Sequence, residues 1–307
     1  MPGNPLDESR VESGIEPVAA ASPRSVIFWK LHAFGNNFVF LLHDPAVDYP
    51  KLAGQLCRMD TSIGADGLLS LDLTVSPPFV RMWNPDGTPD FCGNGLSCAA
   101  KLIQHLTGRG VPAMETPSAL VPVRIQEIDA CVSQVSIRIR HPTFDPDAIP
   151  LAPAHAQALD RVRRIRVDGR EFDLIPCSNG NIHTVIFVED MPTDEDFIRY
   201  SAQIEVHPLF PEKTNVLWCR VDEGRLHMRI WERSVGETSS CGTGAAAATA
   251  ICSLSGYALP RSVEVVMSGG TAHVELLTDA VELCTKATLV FEGALMDLGL
   301  AAGPDGK

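Results

Sequence analysis

The sequence predicts a mixed α/β or α+β fold built from two similar halves. Short runs rich in β-branched and aromatic residues, which are typical of strands, recur along the whole chain. A few stretches with helical apolar periodicity lie between them. Three landmark motifs then occur twice, in the same order and at similar spacing. This repetition favours two homologous halves packed about a pseudo-twofold axis.

The predicted elements alternate in chain order. The strand-like runs are SVIFWKLH, NFVFLL, VSIRIRH, HTVIFVED, NVLWCRV, LHMRIWE, VEVVM and ATLVFEG. The helix-like runs are YPKLAGQLC, LSCAAKLIQHL, DEDFIRYSAQI and GAAAATAICSL. Residues 142–156, PTFDPDAIPLAPAHA, contain four prolines and are the best candidate for a linker between the halves.

Composition and charge exclude several classes of function. The 307 residues are 45% hydrophobic and 21% charged, as in globular proteins, and the formal net charge is −13. This acidic balance argues against nucleic acid or an anionic membrane as a main partner. No apolar run approaches the roughly 20 residues that span a bilayer. The nine cysteines include no CxxC pair, so we expect a reducing, cytoplasmic setting.

The internal repeat places a glycine-rich cysteine turn before a helix in each half. RMWN at 81–84 precedes CGNG at 92–95, and RIWE at 229–232 precedes CGTG at 241–244. Further upstream, FGNNFVF at 34–40 resembles NGNIHTVIF at 179–187. One such similarity alone would be no more than chance among short motifs, but three in matched order indicate duplication.

Two cysteines at two helix N-termini indicate a specific chemistry. The free N–H groups and positive dipole end of each helix bind a carboxylate, and we expect them to lower the pKa of the adjacent thiol. A carbon held between Cys92 and Cys241 could lose a proton to one sulfur and gain a proton from the other, which inverts its configuration. Two similar groups in similar environments are needed, because each is base in one direction and acid in the other.

Other interpretations of this pair remain open. A cysteine in a glycine-rich turn is more often a small buried hydrophobe than a catalyst. A Cys92–Cys241 disulfide could form on oxidation, and metal ligation would lack a clear third and fourth ligand. We expect the other seven cysteines to be packing residues, namely Cys57, Cys98, Cys131, Cys177, Cys219, Cys252 and Cys284.

From about Trp29 to about Gly293 the sequence resembles the diaminopimelate epimerase family, whose members use two catalytic cysteines and no cofactor. The motifs that carry the resemblance are KLHAFGNNFVF, IGADGLL, RMWNPDGTPDFCGNG, NGNIHTVIFVED, HPLFPEKTNV and WERSVGETSSCGTG. The resemblance implies two pseudo-symmetric domains, each a curved, mostly antiparallel sheet around a central helix, with the active site in the interdomain cleft. It implies epimerisation of LL-2,6-diaminopimelate to the meso isomer, without pyridoxal phosphate or metal, by a homodimer.

The resemblance also implies roles for individual residues. Cys92 and Cys241 would be the acid/base thiols, and Glu232 would hold the α-ammonium of the substrate. The substrate's far end would be bound by Arg233 and four asparagines, Asn36, Asn84, Asn181 and Asn215. The carboxylate at the reacting carbon would be bound by backbone N–H groups at Gly93, Asn94, Gly242 and Thr243. His183 would have a structural or supporting role.

The implied organisation has five segments. These are a flexible extension (1–25), an N-terminal half (26–143), a C-terminal half (144–283), a last strand returning to the N-terminal half (284–296) and a flexible tail (297–307). The extension has no apolar segment of the kind found in signal peptides, and its acidic residues argue against a transit peptide.

Some positions depart from the family pattern. Ser97 stands where an arginine is usual, Ile182 replaces a proline, Asn37 replaces an aspartate, and the segment between Gly87 and Cys92 is one residue short. These departures keep open a racemase of another amino acid with the same two-cysteine chemistry. A catalytically silent amino-acid-binding protein and a redox sensor are the alternatives from other classes.

Overall fold

The structure, a computed structural model, describes residues 25–152 and 161–295. The expected flexible segments lie outside these residues, apart from Ser25, and so does the end of the proline-rich linker. Seventeen strands and four helices are formed within the described residues. All the strands and helices expected from the sequence patterns are among them.

The first half contains eight strands and two helices. They are β1 Val26–Ala33, β2 Asn36–Leu42, α1 Tyr49–Leu56, β3 Gly67–Asp72, β4 Phe79–Trp83, β5 Pro89–Asp90, α2 Gly93–Thr107, β6 Ala113–Glu115, β7 Leu120–Glu127 and β8 Val132–Ile139.

The second half contains nine strands and two helices. They are β9 Arg163–Val167, β10 Arg170–Ser178, β11 Ile182–Phe187, α3 Asp194–Glu205, β12 Asn215–Asp222, β13 Arg225–Glu232, β14 Gly236–Thr238, α4 Gly242–Leu254, β15 Ser262–Met267, β16 Gly270–Leu276 and β17 Val281–Leu295.

The strand pairing of one half repeats that of the other. In the first half β1 pairs antiparallel with β2, β2 parallel with β3, β3 antiparallel with β4, and β4 parallel with β6. In the second half the same pattern joins β10 to β11, β11 to β12, β12 to β13, and β13 to β15. The helices fall at equivalent points, so the duplication expected from the motifs is present in the topology.

Strand β17 connects the two halves. Its residues Val281–Cys284 pair with β16, Val281–Thr288 pair with β8, and Ala287–Leu295 pair with β1, all antiparallel. The strand begins three residues before the expected return at residue 284 and pairs with both halves. It thereby fixes the sheets that surround α2 and α4 relative to each other.

Helices α2 and α4 form the centre of the protein. Residues Gly93–Ile103 of α2 and Gly242–Cys252 of α4 are buried. A helix that is buried on every side needs small or apolar residues all round, which the CGTGAAAATA segment supplies. Both helices belong to one hydrophobic cluster with the surrounding strands. None of the helices in the described residues is both long and apolar enough to cross a membrane.

Candidate active site

Each repeated cysteine occupies the N-cap position of a central helix. Cys92 precedes α2 and Cys241 precedes α4, and both have extended backbone conformations. The Cys241 sulfur accepts a hydrogen bond from the Gly244 N–H at 3.4 Å and lies 3.5 Å from the Thr243 hydroxyl. The Cys92 sulfur makes no such capping hydrogen bond, although the backbone N–H groups of Asn94 and Gly95 lower the pKa of the Cys92 thiol. The two thiols therefore hold equivalent positions at their helices, with Cys241 buried and Cys92 half-buried.

The N-termini of the two helices approach each other closely. A Cβ atom placed on Gly242 would lie 3.1 Å from Asn94 Oδ1 and 2.7 Å from Leu283 Cδ2. Such a contact leaves no room for a side chain, so glycine is needed for the close approach. The two thiols are near enough to interact electrostatically, and the charge of a Cys92 thiolate raises the pKa of the Cys241 thiol. The structure thus brings the two cysteines to one place.

A buried polar network joins the two helix starts. Asn94 Nδ2 donates to Asn36 Oδ1 at 2.8 Å and to Ser240 Oγ at 3.2 Å. Ser240 in turn donates to the Phe34 carbonyl. The structure therefore places Asn36 in this network, beside the start of α2.

Two adjoining cavities lie between the halves, and Cys241 lines neither of them. The first, of 360 Å³, is lined by Cys92 and by an apolar wall from β3, β4 and α2. The second, of 550 Å³, brings together five of the expected site residues, Asn84, Asn181, Asn215, Glu232 and Arg233. Asp90, Asn181 and Arg233 line both cavities, so the two cavities share part of their walls. The other expected residues, Cys241, Gly93, Asn94, Gly242 and Thr243, lie buried at the helix starts.

Asn215 holds Arg233 in position at the second cavity. Asn215 Oδ1 accepts the Arg233 backbone N–H at 2.8 Å, and Asn215 Nδ2 donates to the Ile182 carbonyl at 2.9 Å. Arg233 Nη1 donates to the Glu212 carbonyl at 3.2 Å. Because one guanidinium nitrogen is fixed in this way, the remaining donors can face a carboxylate in the cavity.

Glu232 is a half-buried carboxyl next to one thiol. Burial raises the pKa of Glu232 to about 7, and the charges of Asp90 and Asp66 act in the same direction. A hydrogen bond with the Cys241 thiol opposes the rise. A carboxyl in this state gains strongly from a cationic partner, and an ammonium group would supply one.

The expectation that the thiol pKa values lie below their usual range is wrong for this structure. Burial raises the pKa of Cys92 to about 12 and raises that of Cys241 as well. The backbone N–H groups lower both values, but desolvation is the larger effect. A deprotonated thiol here would be a strong base, which suits removal of a weakly acidic α-proton.

Three polar residues at the site had no expected role. Asp90 is a half-buried carboxyl that lines both cavities with Arg233, and Asn179 Nδ2 donates to the Thr243 carbonyl at 2.8 Å. The third is Ser240. All three lie within the motifs of the family resemblance, but nothing in those motifs singles them out. His183 Nε2 lies 3.2 Å from the Thr243 hydroxyl, and burial lowers the pKa of His183 to about 3.

The remaining cysteines do not all pack in the core. Cys57, Cys98, Cys177, Cys219 and Cys252 are buried, as expected. Cys131 is exposed and Cys284 is half-buried, so the expectation of a packing role is wrong for Cys131. Cys131 lies in the turn between β7 and β8, where its N–H donates to Asp129 at 2.8 Å.

Sequence comparisons show to which protein family the chain is related. A sequence profile described as diaminopimelate epimerase matches residues 177–290. A diaminopimelate epimerase of Desulfitobacterium hafniense is 36% identical over 283 residues, covering 89% of this chain and 99% of that protein. A diaminopimelate epimerase of Halothermothrix orenii is 33% identical, covering 88% of this chain and 97% of that protein. The chain belongs to the diaminopimelate epimerase family.

Solved structures agree with the fold of this diaminopimelate epimerase family member. A hydroxyproline epimerase from Agrobacterium vitis has a TM-score of 0.64 at 15% identity, covering 89% of this chain and 93% of that one. A structure described as a predicted epimerase from Pseudomonas aeruginosa has a TM-score of 0.63 at 18% identity, covering 89% and 99%. A Bacillus anthracis protein of the PhzF phenazine biosynthesis family, with the same coverage, has a TM-score of 0.56 at 15% identity. At these identities the likeness concerns the fold.

Two residues that depart from the expected family pattern form hydrogen bonds with their neighbours. Ser97 is buried in α2, where its hydroxyl donates to the Gly93 carbonyl at 3.2 Å and accepts from Thr285 at 2.9 Å. Asn37 donates to Asp66 Oδ2 from its backbone N–H at 2.7 Å and from Nδ2 at 2.8 Å. In this diaminopimelate epimerase family member, both substitutions are thus accommodated by hydrogen bonds to neighbouring strands or loops.

Proposed function

We propose that this protein converts LL-2,6-diaminopimelate to the meso isomer by proton transfer between Cys92, Cys241 and the α-carbon. The reaction class comes from the family, whose curated members named above are diaminopimelate epimerases. The protein is accordingly an isomerase that acts on an amino acid. The observation that carries the mechanism is the meeting of two helix N-termini, each capped by a cysteine.

The proposed step moves one proton off the α-carbon and another onto it. One sulfur, as thiolate, forms an S–H bond with the α-hydrogen while the C–H bond breaks, and the electron pair stays on carbon. The opposite thiol then donates its proton to the other face of that carbon and becomes the thiolate. The net change is inversion of the centre, with the thiol and thiolate states exchanged between the two sulfurs. Protons and electrons balance without a cofactor.

Groups at the helix starts would stabilise the carbanion. The backbone N–H groups of Gly93, Asn94, Gly242 and Thr243 are the donors available to the substrate carboxylate, onto which the negative charge spreads. Glu232 would bind the α-ammonium. Both helix dipoles favour a negative group at this point. A dry site strengthens each of these interactions.

The far end of the substrate would occupy the 550 Å³ cavity. Diaminopimelate carries a second ammonium and a second carboxylate there. Arg233 would bind that carboxylate, and the amides of Asn84, Asn181 and Asn215 can both donate and accept hydrogen bonds. In the described structure Asn36 contributes through its hydrogen bond with Asn94.

The experiment that tests this function is solvent exchange with a panel of substrates. The reduced protein is incubated in D₂O with LL-diaminopimelate and, separately, with several ordinary amino acids, and α-deuteration is followed by mass spectrometry. Exchange with diaminopimelate alone supports the proposal. Exchange only with another amino acid would assign the same thiol chemistry to a racemase. Absence of exchange would favour a silent binding protein or a redox sensor switched by a Cys92–Cys241 disulfide.

The setting of this activity follows from its chemistry. We propose a place in lysine and peptidoglycan precursor synthesis, in the cytoplasm, where the thiols stay reduced. The partners we propose are the small amino-acid substrate and a second copy of the chain in a homodimer, with no role for nucleic acid or membrane.

A further inference from the structure

Two half-buried carboxyls, rather than one, face the space between the halves. Glu232 lies beside Cys241, and Asp90 lines both cavities. Burial raises the pKa of both carboxyls, and the charge of Asp90 raises the pKa of Glu232 further. Only Glu232 has an expected role in the reaction, which leaves Asp90 as a charged group at the site without a function.

Asp90 and Arg233 line the same two cavities, so a carboxylate and a guanidinium share one space. The Asp90 carboxylate accepts a hydrogen bond from the Phe91 N–H at 2.7 Å, and the Asn84 side chain favours its charged form. Arg233 acts on Asp90 through its charge while donating directly to the Glu212 carbonyl. The carboxylate and the guanidinium therefore act on each other across the cavity. A negative and a positive group held in this way are complementary to an ammonium and a carboxylate on one carbon.

Three other charged groups of the cavity lining already have partners. Lys213 pairs with Glu205 at 3.3 Å, and the Asp86 carboxylate accepts two hydrogen bonds from Thr88. Arg81 lies 4.2 Å over the ring of Phe79. Glu212 lines only the second cavity, where its side chain is exposed and its backbone carbonyl accepts the Arg233 donor. Asp90 is less exposed and lines both cavities, so, apart from Glu232, it is the carboxylate best placed to receive a cation opposite Arg233.

We infer that Asp90 receives the second ammonium group of the substrate and selects diamino diacids over monoamino diacids. This inference rests on the proposed function and extends it. Glu232 and Asp90 then match the two ammonium groups, and the helix N-termini and Arg233 match the two carboxylates. A substrate without the distal ammonium leaves the half-buried Asp90 carboxylate without a cation in direct contact, which is unfavourable.

The test compares two substrates in two proteins. LL-diaminopimelate and L-2-aminopimelate, which lacks the distal amine, are each assayed for α-deuteration in D₂O with wild type and Asp90→Asn. We expect Asp90→Asn to lower kcat/KM for diaminopimelate about 100-fold, as for loss of a charged hydrogen bond, and to change that for 2-aminopimelate less than about 3-fold. Asp60→Asn, at an exposed aspartate outside both cavities, is the matched control and should alter neither value.

The outcomes separate the inference from the proposed function. Equal loss with both substrates would overturn the inference, because Asp90 would then only position the Phe91–Cys92 turn through its hydrogen bond. Unchanged activity with both would overturn it as well. Wild-type activity on diaminopimelate tests the proposed function independently of the variant. If Asp90→Asn unfolds, as shown by thermal melting, Asp90→Ser is compared in the same way.

Discussion

The side chain of Asn94 donates a hydrogen bond to the Ser240 hydroxyl at 3.2 Å, although the two residues are 146 positions apart. Asn94 is two residues after Cys92, and Ser240 directly precedes Cys241. The bond thus links the two thiol-bearing turns and sets how their sulfurs face one another. Because a small misplacement of reacting groups slows proton transfer strongly, this contact matters for turnover.

Ser240→Ala should lower kcat about 10- to 100-fold while reducing the free energy of unfolding by only about 1–2 kcal/mol. Steady-state kinetics and urea unfolding measure the two effects. Ser268→Ala is the matched control, since that exposed hydroxyl donates at 3.2 Å to the Ser239 carbonyl on the surface. If the two variants have the same kcat, the contact has no role in aligning the thiols.

Cys92→Ala and Cys241→Ala should each lower the rate of epimerisation by roughly 1,000-fold or more, because each removes one of two acid/base groups. The rate is measured in both directions, starting from LL- and from meso-diaminopimelate. Cys131→Ala, which removes the exposed thiol in the β7–β8 turn, should retain wild-type activity. Near-wild-type turnover of either active-site variant would contradict the two-base mechanism.

Glu232→Gln should change how stability depends on pH. The folded protein holds a proton on Glu232 up to about pH 7, whereas the unfolded chain releases it near 4.5. The raised pKa therefore contributes stability that is fully present below pH 4.5 and is lost as pH rises to 7. The difference in unfolding free energy, wild type minus variant, should fall by about 3 kcal/mol across this interval. Denaturant titrations at several pH values measure it, and a flat difference would show that Glu232 titrates normally.

Gly242→Ala should separate the two helix starts. The added methyl would lie 2.7 Å from Leu283 Cδ2 and 3.1 Å from Asn94 Oδ1, so these side chains or one of the helices must move. We expect kcat to fall about 100-fold or more. Gly54→Ala in α1 is the control, because its methyl would meet its nearest neighbour, the Pro85 carbonyl, at an ordinary 3.5 Å.

A second substitution tests the cause of that loss. Shortening the obstructing side chain with Leu283→Ala in the Gly242→Ala background should recover part of kcat. If it recovers none while the protein stays folded, crowding at Leu283 is not the reason for the loss.

Sequence patterns predict all four described helices, eight of the seventeen described strands and the duplication. The turns CGNG and CGTG place a cysteine at each helix start because glycine and the small residues that follow permit a buried helix N-terminus. These features depend on a few neighbouring residues, so local spacing predicts them well.

Features that depend on burial could not be predicted in this way. The direction of the thiol pKa shift was wrong because the sequence shows the helix N–H groups but not the apolar strands that enclose the sulfurs. Asp90 was missed for the same reason, since only the fold places it opposite Arg233. The prediction of a packing role for Cys131 follows from the usual burial of cysteine, and it is wrong because Cys131 lies in an exposed turn.

The most direct test of the two-thiol mechanism is the position of deuterium during the first turnovers of LL-diaminopimelate in D₂O. With separate bases on the two faces, the first meso product should carry one solvent deuterium at the inverted centre while the unreacted LL substrate keeps its proton. If the unreacted substrate gains deuterium as fast as the product does, one group serves both faces and the account is contradicted.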